Sequence, residues 1–229
     1  MDKKKKTNKS VKDLQKQKIL VSKDSTNGLI INAANVLIKK QGFSGLKLNK
    51  IAKLAGISKQ MITEHFGNKN GLLRAVIQKA NFTVTYDGGL DKLLDDNRYD
   101  NGKTLALKTI DDFLSHHLNN KVAQEISVQE FNKSTDLLNE NAASRDIYFD
   151  KLFSLMIEFR NGNKADPKLV LDSIFKGINH FILESKIDKV PNYGLDMHNL
   201  NDQKVMREFL KMIIEAYYNE VERNKIRLN

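Results

Sequence analysis

Residues 49–66 read NKIAKLAGISKQMITEHF, two short amphipathic segments on either side of one glycine. The first segment is expected to bury Ile51 and Leu54. Gly56 gives the backbone the freedom for a sharp turn, and Ser58 is a good N-cap for the second segment. Two short helices joined by a glycine turn within about twenty residues predict a helix-turn-helix.

The residues around this motif predict two further helices. Upstream, four apolar residues follow the i, i+3, i+4, i+7 spacing of a single helical stripe: Ile30, Ala33, Ala34 and Leu37. Downstream, Asn68 can cap a helix whose buried face is formed by Leu72, Leu73, Val76 and Ile77. The segment 24–80 is therefore predicted to form a small helical domain with the helix-turn-helix at about 47–66.

Charge is distributed unevenly along the chain. Residues 1–79 hold 18 basic and 4 acidic side chains, a net charge of +14, whereas residues 80–229 hold 20 basic and 24 acidic ones, a net charge of −4. Such asymmetry predicts that one end of the protein faces a polyanion. We favour nucleic acid over a membrane surface, because a membrane-binding segment normally carries bulky apolar anchors on an amphipathic helix.

The first 23 residues form the most basic stretch, with nine lysines and two aspartates. A segment so charged and so poor in large apolar side chains is expected to remain a flexible tail. Two interpretations of this tail are open. It contacts DNA phosphates without regard to sequence, which we favour, or it only keeps the protein soluble.

Several classes of function are disfavoured by what the sequence lacks. With 0 cysteines it has no disulfide, thiolate nucleophile, Fe–S cluster or cysteine-type zinc site. Nucleotide-binding glycine motifs, GxSxG and HExxH are absent, so we expect no enzyme, no cofactor and no metal. No apolar run approaches the roughly 18 residues of a membrane span, and no secretory signal is recognisable, so a cytoplasmic protein is expected.

Residues 81–229 are predicted to form a helical bundle with its own core, which makes the whole protein all-α. The chain has 2 prolines and 12 glycines, too few for the regular turns of a sandwich or barrel. The candidate helices cover about 80–96, 103–119, 121–138, 141–160, 167–185 and 202–226. The last of these begins after a loop around residues 190–194.

Three stretches together resemble the tetracycline-repressor (TetR/AcrR) family of bacterial regulators. They are AANVLIKKQGF at 33–43, IAKLAGISK at 51–59, and HFGNK at 65–69 followed by two leucines. The resemblance covers roughly a third of the chain. It implies an N-terminal three-helix DNA-binding domain followed by a helical domain for ligand binding and dimerisation.

Three positions depart from the family pattern. Lys47 stands where the family usually has a threonine cap, so Asn49 is expected to cap the helix one turn later. Thr63 replaces a tyrosine, and Gln60 replaces a small residue. These changes put the usual phosphate contacts in doubt and suggest an unusual operator.

The candidate DNA contacts follow from the second helix of the motif and from helix starts. Gln can bind adenine N6 and N7, Lys can donate to guanine, and Thr can bond either base type or touch a thymine methyl. Glu64 is expected to face solvent or to pair with a lysine, since a carboxylate repels phosphate. The full candidate set is Lys47, Asn49, Lys59, Gln60, Met61, Thr63, His65 and Lys69.

In the second domain two groups of residues are candidates for binding. A ligand pocket is predicted among His117, Phe113, Tyr148, Phe131 and Leu152. For His117 the alternative is a core histidine bonded to a backbone carbonyl. Broad apolar faces on the last two long helices predict a homodimer interface through Ile174, Ile178, Phe181, Phe209, Ile213 and Tyr217.

The resemblance implies a repressor that binds a near-palindromic, double-stranded DNA operator as a homodimer and is released by an unknown small-molecule effector. The alternative is an architectural or activating DNA-binding protein without an effector. An enzyme of the helical domain is the third and weakest hypothesis.

Overall fold

A computed structural model of the protein describes residues 25–83, 89–132, 135–159, 166–187 and 194–228. These residues form helices joined by short turns, with no strand in the described part, so the predicted all-α fold is confirmed. The chain divides into two compact units, Met1–Ile77 and Gln78–Asn229. The predicted basic tail, residues 1–23, lies outside the described residues.

The first unit contains the short helices predicted around the glycine turn. Helix α1 covers residues 25–41, and a 3-10 turn, Phe43–Gly45, follows it. The next helices are α2 (Leu48–Ala55), α3 (Lys59–Phe66) and α4 (Lys69–Ala80), the last of which runs on into the second unit.

The core of the first unit is built from one stripe of each helix. The predicted α1 stripe is confirmed, with Ile30 and Ala34 fully buried. Helix α2 buries Ile51 and Ala52, whereas Leu54, predicted to be buried, is 50% exposed. At about 100° per residue, Leu54 lies roughly 110° from the centre of the buried face, too far round an eight-residue helix to reach the core.

The second unit contains seven further helices in its described part. They are α5 (Leu90–Asp96), α6 (Lys103–Asn119), α7 (Lys121–Asn132), α8 (Asp136–Leu152), α9 (Ser154–Phe159), α10 (Pro167–Ile187) and α11 (Leu200–Leu228). The predicted bounds of α6 are confirmed. The predicted start of α10 is also confirmed, since Asp166 Oδ1 accepts a hydrogen bond from the backbone N–H of Lys168 at 2.9 Å.

Three of the predicted helices have different bounds in the structure. The one predicted at 80–96 is described as a helix only over Leu90–Asp96. The one predicted at 121–138 ends at Asn132, and α8 begins after Thr135, whose hydroxyl accepts the N–H of Leu138. The one predicted at 141–160 is interrupted at Phe153, which separates α8 from α9. Thr135 is an N-cap that an apolar periodicity does not reveal.

Aromatic rings from three helices fill the middle of the second unit. Phe113 on α6 lies 4.6 Å from Phe175 on α10, measured between ring centroids. Phe149 on α8 stacks on the same Phe175 ring at 4.6 Å with an angle of 9° between the planes. Helix α11 is tied to α6 by Arg207, which pairs with Asp111 and donates to the hydroxyl of Ser115.

His117 on α6 is a core histidine. Its Nδ1 donates to the carbonyl oxygen of Phe113 at 3.0 Å, and its ring lies 4.0 Å from the Phe113 ring. Burial lowers the pKa of His117 to about 3, because the protonated ring would lose its hydration, and the bond to Phe113 offsets this only in part. The neighbouring His116 also has a pKa lowered mainly by burial. His117 therefore stays neutral at physiological pH.

A neutral buried histidine makes stability depend on pH. Below about pH 6.5 the unfolded chain binds a proton at residue 117, and the folded chain does not. The free energy of unfolding therefore falls as the pH falls toward 3. We expect His117→Gln, which can keep the bond to Phe113, to remove about 2 kcal/mol of the stability loss between pH 6 and pH 4.

The measurement is denaturant unfolding followed by tyrosine fluorescence, since the protein has no tryptophan and all its tyrosines lie between residues 86 and 218. The exposed His198→Gln is the matched control and should keep the native pH dependence. Equal pH dependence in the native protein and His117→Gln would contradict the assignment.

Candidate functional site

The turn between α2 and α3 fixes where α3 begins. Gly56 ends α2 with φ 70° and ψ 28°, the left-handed conformation that other residues resist. Ser58 then caps α3, since its Oγ accepts the backbone N–H of Met61 at 3.1 Å. Both assignments made from the sequence are confirmed.

The start of α2 differs from the expectation. Lys47 is the N-cap and Asn49 is the second residue of the helix, so the prediction that Asn49 caps it is wrong. The carbonyl of Lys47 already accepts the N–H groups of Lys50 and Ile51, at 2.9 Å and 3.1 Å, and this fixes the first turn without a side-chain cap. Lys47 and Asn49 are both exposed.

Helix α3 is anchored by one side chain and presents the others outward. Ile62 is the buried residue of the helix, at 1% exposure, whereas Met61 is 37% exposed. Three of the predicted base-contacting residues are exposed on this helix: Lys59, Gln60 and Thr63. The hydroxyl of Thr63 donates back to the carbonyl of Lys59 at 3.3 Å, and Gln60 Nε2 donates to Glu64 Oε1 at 2.9 Å. Glu64 is exposed to solvent, which was one of the two expectations, and it bonds to Gln60 and not to a lysine.

His65 links α3 to the first helix. Its Nδ1 lies 2.7 Å from Oδ1 of Asn27, so the ring nitrogen donates to the amide oxygen. The ring is partly buried, and its orientation is set by a residue 38 positions earlier in the chain. Nothing in the periodicity of the sequence connects these two residues, which is why Asn27 was not among the predicted site residues.

Helix α4 begins directly against the end of α3. Asn68 caps α4 by accepting the backbone N–H of Gly71 at 3.0 Å, as predicted, and Lys69 is exposed in the first turn. A Cβ atom on Gly71 would lie 2.0 Å from the carbonyl oxygen of Phe66, a distance that no side chain tolerates. Gly71 is therefore required for the approach of the two helices.

The electrostatics of the first unit are one-sided. Residues 25–79 contain nine basic side chains and a single acidic one, Glu64, and all ten are exposed. This domain offers a positively charged surface to a polyanion.

The second unit contains a cavity of about 370 Å³ between α6, α8, α9 and α10. Its apolar wall includes the rings of Phe113, Phe149, Phe153 and Phe175. Three cations at its edge are paired: Lys168 with Asp150 at 2.6 Å, Lys176 with Asp172 at 2.7 Å, and Arg145 with Glu130 at 3.2 Å. The carboxylate of Asp146 has no hydrogen-bond or ion-pair partner among the described residues.

Only Phe113 of the predicted ligand-binding residues lines this cavity. His117 and Leu152 are buried in the core, and Tyr148 packs against that core. The side chain of Phe131 lies outside the described part of the structure. Helix α8 presents Arg145, Phe149 and Asp150 to this cavity, and not the predicted Tyr148 and Leu152.

A second, apolar groove lies between α10 and α11. Its volume is about 410 Å³, and its lining includes five of the six predicted dimer residues, Ile174, Ile178, Phe181, Phe209 and Ile213, together with Gly177. Ile174 and Ile178 form a buried floor, whereas Phe209 is 47% exposed. Tyr217, the sixth, is buried in the core and does not line the groove.

The family model for bacterial regulatory proteins of the tetR family matches residues 30–76, which contain the helix-turn-helix and most of the two helices that flank it. Over this segment the chain is similar to members of the tetR family. The chain is also 27% identical over 164 residues to the HTH-type transcriptional regulator YttP of Bacillus subtilis strain 168, an alignment that covers 72% of this chain and 75% of the relative. These two matches indicate a DNA-binding transcriptional regulator.

Two solved structures are similar to this chain. One is a chain from Mesorhizobium loti MAFF303099 described as a TetR-family transcriptional regulator, with a TM-score of 0.45, 14% identity, and coverage of 85% of this chain and 96% of that chain. The other is an alanine-substituted HlyIIR mutant protein, with a TM-score of 0.43, 20% identity, and coverage of 84% and 95%.

None of the described helices is long and apolar enough to cross a membrane. The same residues contain no group of three histidine, cysteine or acidic side chains placed to hold a metal ion.

The contact between Gly71 and Phe66 gives the first test of the DNA-binding geometry. We expect Gly71→Ala to displace α3 or α4 and to lower the affinity for DNA at least tenfold, because the added Cβ collides with backbone. Gly28→Ala is the matched control, since a Cβ there meets nothing within 4 Å and alanine favours a helix by about 1 kcal/mol.

DNA affinity is measured by fluorescence anisotropy, and helix content by circular dichroism. The tyrosine unfolding transition should stay unchanged in both variants, because every tyrosine lies in the second unit. Native DNA affinity in Gly71→Ala would show that the close approach does not position α3.

Proposed function

We propose that the protein is a repressor that binds a near-palindromic operator as a homodimer and leaves it when a small molecule occupies the cavity of the second unit. The observation that carries the DNA-binding part is the exposed outer face of α3 in a domain with nine exposed basic side chains. Two symmetry-related copies of α3 suit two half-sites about 34 Å apart, or a multiple of that distance. Such a regulator acts in the cytoplasm, where bacterial DNA lies.

The DNA contacts divide into two kinds. Lys47 and Lys69 stand at helix starts, where backbone N–H groups also favour phosphate, and they position the domain without reading sequence. Lys59, Gln60, Met61 and Thr63 lie on α3 and face the bases. His65 is held by Asn27 and is included among the phosphate contacts with both of its ring nitrogens acting as donors, one to Asn27 and one to the phosphate. The lysine-rich tail, residues 1–23, adds contacts to phosphate.

The cavity supports the effector part of the proposal and indicates a class of molecule. Its rings offer a flat apolar surface, and the three cations at its edge are neutralised by carboxylates. The free carboxylate of Asp146 is left to attract a cation. A planar aromatic molecule with one positive charge would stack on the phenylalanines and pair with Asp146.

Helix α10 supplies a route from the cavity to the dimer. Leu171 and Phe175 on one side of the helix line the cavity, while Ile174 and Gly177 on another side line the apolar groove. A ligand that prefers a slightly different position of α10 shifts the population toward dimers whose two copies of α3 no longer match the operator. The cavity favours this repressor over the alternative, an architectural or activating protein without an effector. Loss of operator affinity on ligand binding distinguishes the two.

The dimer prediction rests on the exposed apolar side chains of the groove. We expect the native protein to scatter light at micromolar concentration as twice its 26.2 kDa mass. Phe209→Asp should give monomers that keep weak non-specific DNA binding and lose operator binding, because a buried, unpaired carboxylate opposes association. Leu200→Asp, at an apolar residue that is 79% exposed outside the groove, should remain dimeric.

A substitution at Gly177 distinguishes packing against a second copy from packing within one chain. A Cβ at this position meets nothing within 4 Å in one chain, so Gly177→Ala leaves the isolated fold intact. Packing of a second copy against the groove would make the same substitution weaken the dimer. A monomer mass for the native protein, or native dimerisation in both groove variants, contradicts the proposed interface.

The effector class is tested with N-methylquinolinium and with quinoline, which has the same shape and is uncharged at neutral pH. We expect the cation to raise the tyrosine unfolding temperature and to bind more tightly than quinoline. Asp146→Asn should weaken binding of the cation about tenfold, the scale of one charge-assisted contact. Asp96→Asn, an exposed acid without a described partner, is the control and should change nothing. Equal binding of the two probes contradicts a cationic effector.

A further inference from the structure

Glu64 differs in charge from the side chains that surround it in the sequence. It is the only acidic side chain between residues 25 and 79, and it lies exposed on α3, the helix that faces DNA in the proposed complex. A carboxylate on this surface opposes phosphate binding. No lysine neutralises it in the described structure, and its described partner is the neutral amide of Gln60.

The bond between Gln60 and Glu64 determines what this part of α3 presents. Gln60 Nε2 donates to Glu64 Oε1 at 2.9 Å, which turns the amide nitrogen toward Glu64 and leaves the amide oxygen facing away from it. The hydroxyl hydrogen of Thr63 is likewise directed to the carbonyl of Lys59. Among these four side chains, Lys59 and the second amide hydrogen of Gln60 are left as donors, while Gln60, Thr63 and Glu64 present acceptor oxygens.

Acceptors on a recognition helix match the amino groups in the major groove. Only cytosine N4 and adenine N6 offer hydrogen-bond donors there. Adenine also carries the N7 acceptor beside its amino group, and its lone pair repels a carboxylate. Cytosine has no acceptor at that edge, so an ionised Glu64 distinguishes cytosine from adenine.

We propose that Glu64, with the amide of Gln60 held against it, reads a C·G base pair in each operator half-site and weakens binding to all other DNA. This inference rests on the proposed operator binding. It differs from the bidentate adenine contact that a glutamine alone would favour, because the carboxylate beside Gln60 adds an acceptor that suits the amino group of cytosine and is repelled by the N7 lone pair of adenine. At a site without cytosine the carboxylate loses water and gains no donor, and that cost applies wherever the helix docks.

The test begins with selection from a random DNA pool by the full-length native protein, which yields an operator sequence. Dissociation constants are then measured for the selected duplex, for duplexes with each G·C pair replaced by A·T, and for a shuffled duplex. The same set is measured with Glu64→Gln, which keeps an acceptor for Gln60 and removes the charge. Glu158→Gln, at an exposed acid of the second unit, removes one charge elsewhere and is the matched control.

We expect one C·G position per half-site at which replacement weakens the native protein roughly tenfold or more. In Glu64→Gln that preference should fall to about twofold, the shuffled duplex should bind several-fold tighter, and the other positions should keep their preferences. Gln60→Ala should relax the same position, because it frees the carboxylate from its fixed orientation.

Two outcomes of these measurements would contradict the inference. If Glu64→Gln retains the native preference at every position, or weakens all positions alike, Glu64 does not read a base and the inference is wrong. If the native protein selects no common sequence, operator binding itself fails and the inference falls with it. Circular dichroism identifies a variant that does not fold, in which case Glu64→Asp, which keeps the charge and shortens its reach, replaces it and should lose the same single preference.

Discussion

Helix α3 has eight residues and buries one of them, Ile62, so its orientation depends on what holds its two ends. A single buried isoleucine contributes about 2 kcal/mol and fixes a point, not a direction. The direction comes from the cap by Ser58 at the start, from the collision-limited contact of Gly71 with Phe66 at the end, and from Asn27 holding His65. Each of these involves backbone or a hydrogen bond, which have stricter geometry than apolar packing. A reading helix can therefore be short and still be placed precisely enough to meet base edges.

The second unit differs from the first because its large core also contains a cavity. Four phenylalanine rings surround the space, three of them on helices and one in the connection after α8. The planes of neighbouring rings lie at angles from 9° to 64° to each other. The same rings provide a wide contact area for a guest. Helix α10 contributes to the cavity and to the apolar groove, so a change at one is a change in the packing of the other.

Local patterns in the sequence were sufficient for much of this fold. The bounds of α6, the glycine turn at Gly56 and the caps by Ser58 and Asp166 all depend on residues within one turn of each other. The exposed side of α3 followed from the position of its apolar residues. Errors arose where two chemically similar choices compete. Leu54 is as apolar as Ile51, and only the direction of the neighbouring helices determines which of them is covered.

Contacts between distant residues could not be predicted from one sequence. The pairing of Asn27 with His65 joins two helices, and neither residue carries a local signal for the other. Tyr217 and Phe209 both lie on apolar stripes of α11, yet one is in the core and the other at the groove. A wide apolar face on a helix shows that both of its edges need to be buried. It does not show which edge packs in the core of the same chain and which is left for a partner. The orientation of α8 at the cavity was undetermined for the same reason.

Affinity and selectivity depend on different parts of the first unit. Nine exposed basic side chains attract any duplex, and this attraction falls with salt, since it arises from release of counterions. A surface with only such charges would occupy the many non-specific sites of a genome as readily as its operator. Selectivity therefore requires groups that lower the affinity for wrong sequences as well as groups that raise it for the right one. An acidic side chain on the reading helix does the first by losing hydration at every site that offers no donor. This lost hydration weakens binding to every DNA sequence, and it is compensated only where a base donates a hydrogen bond to the carboxylate.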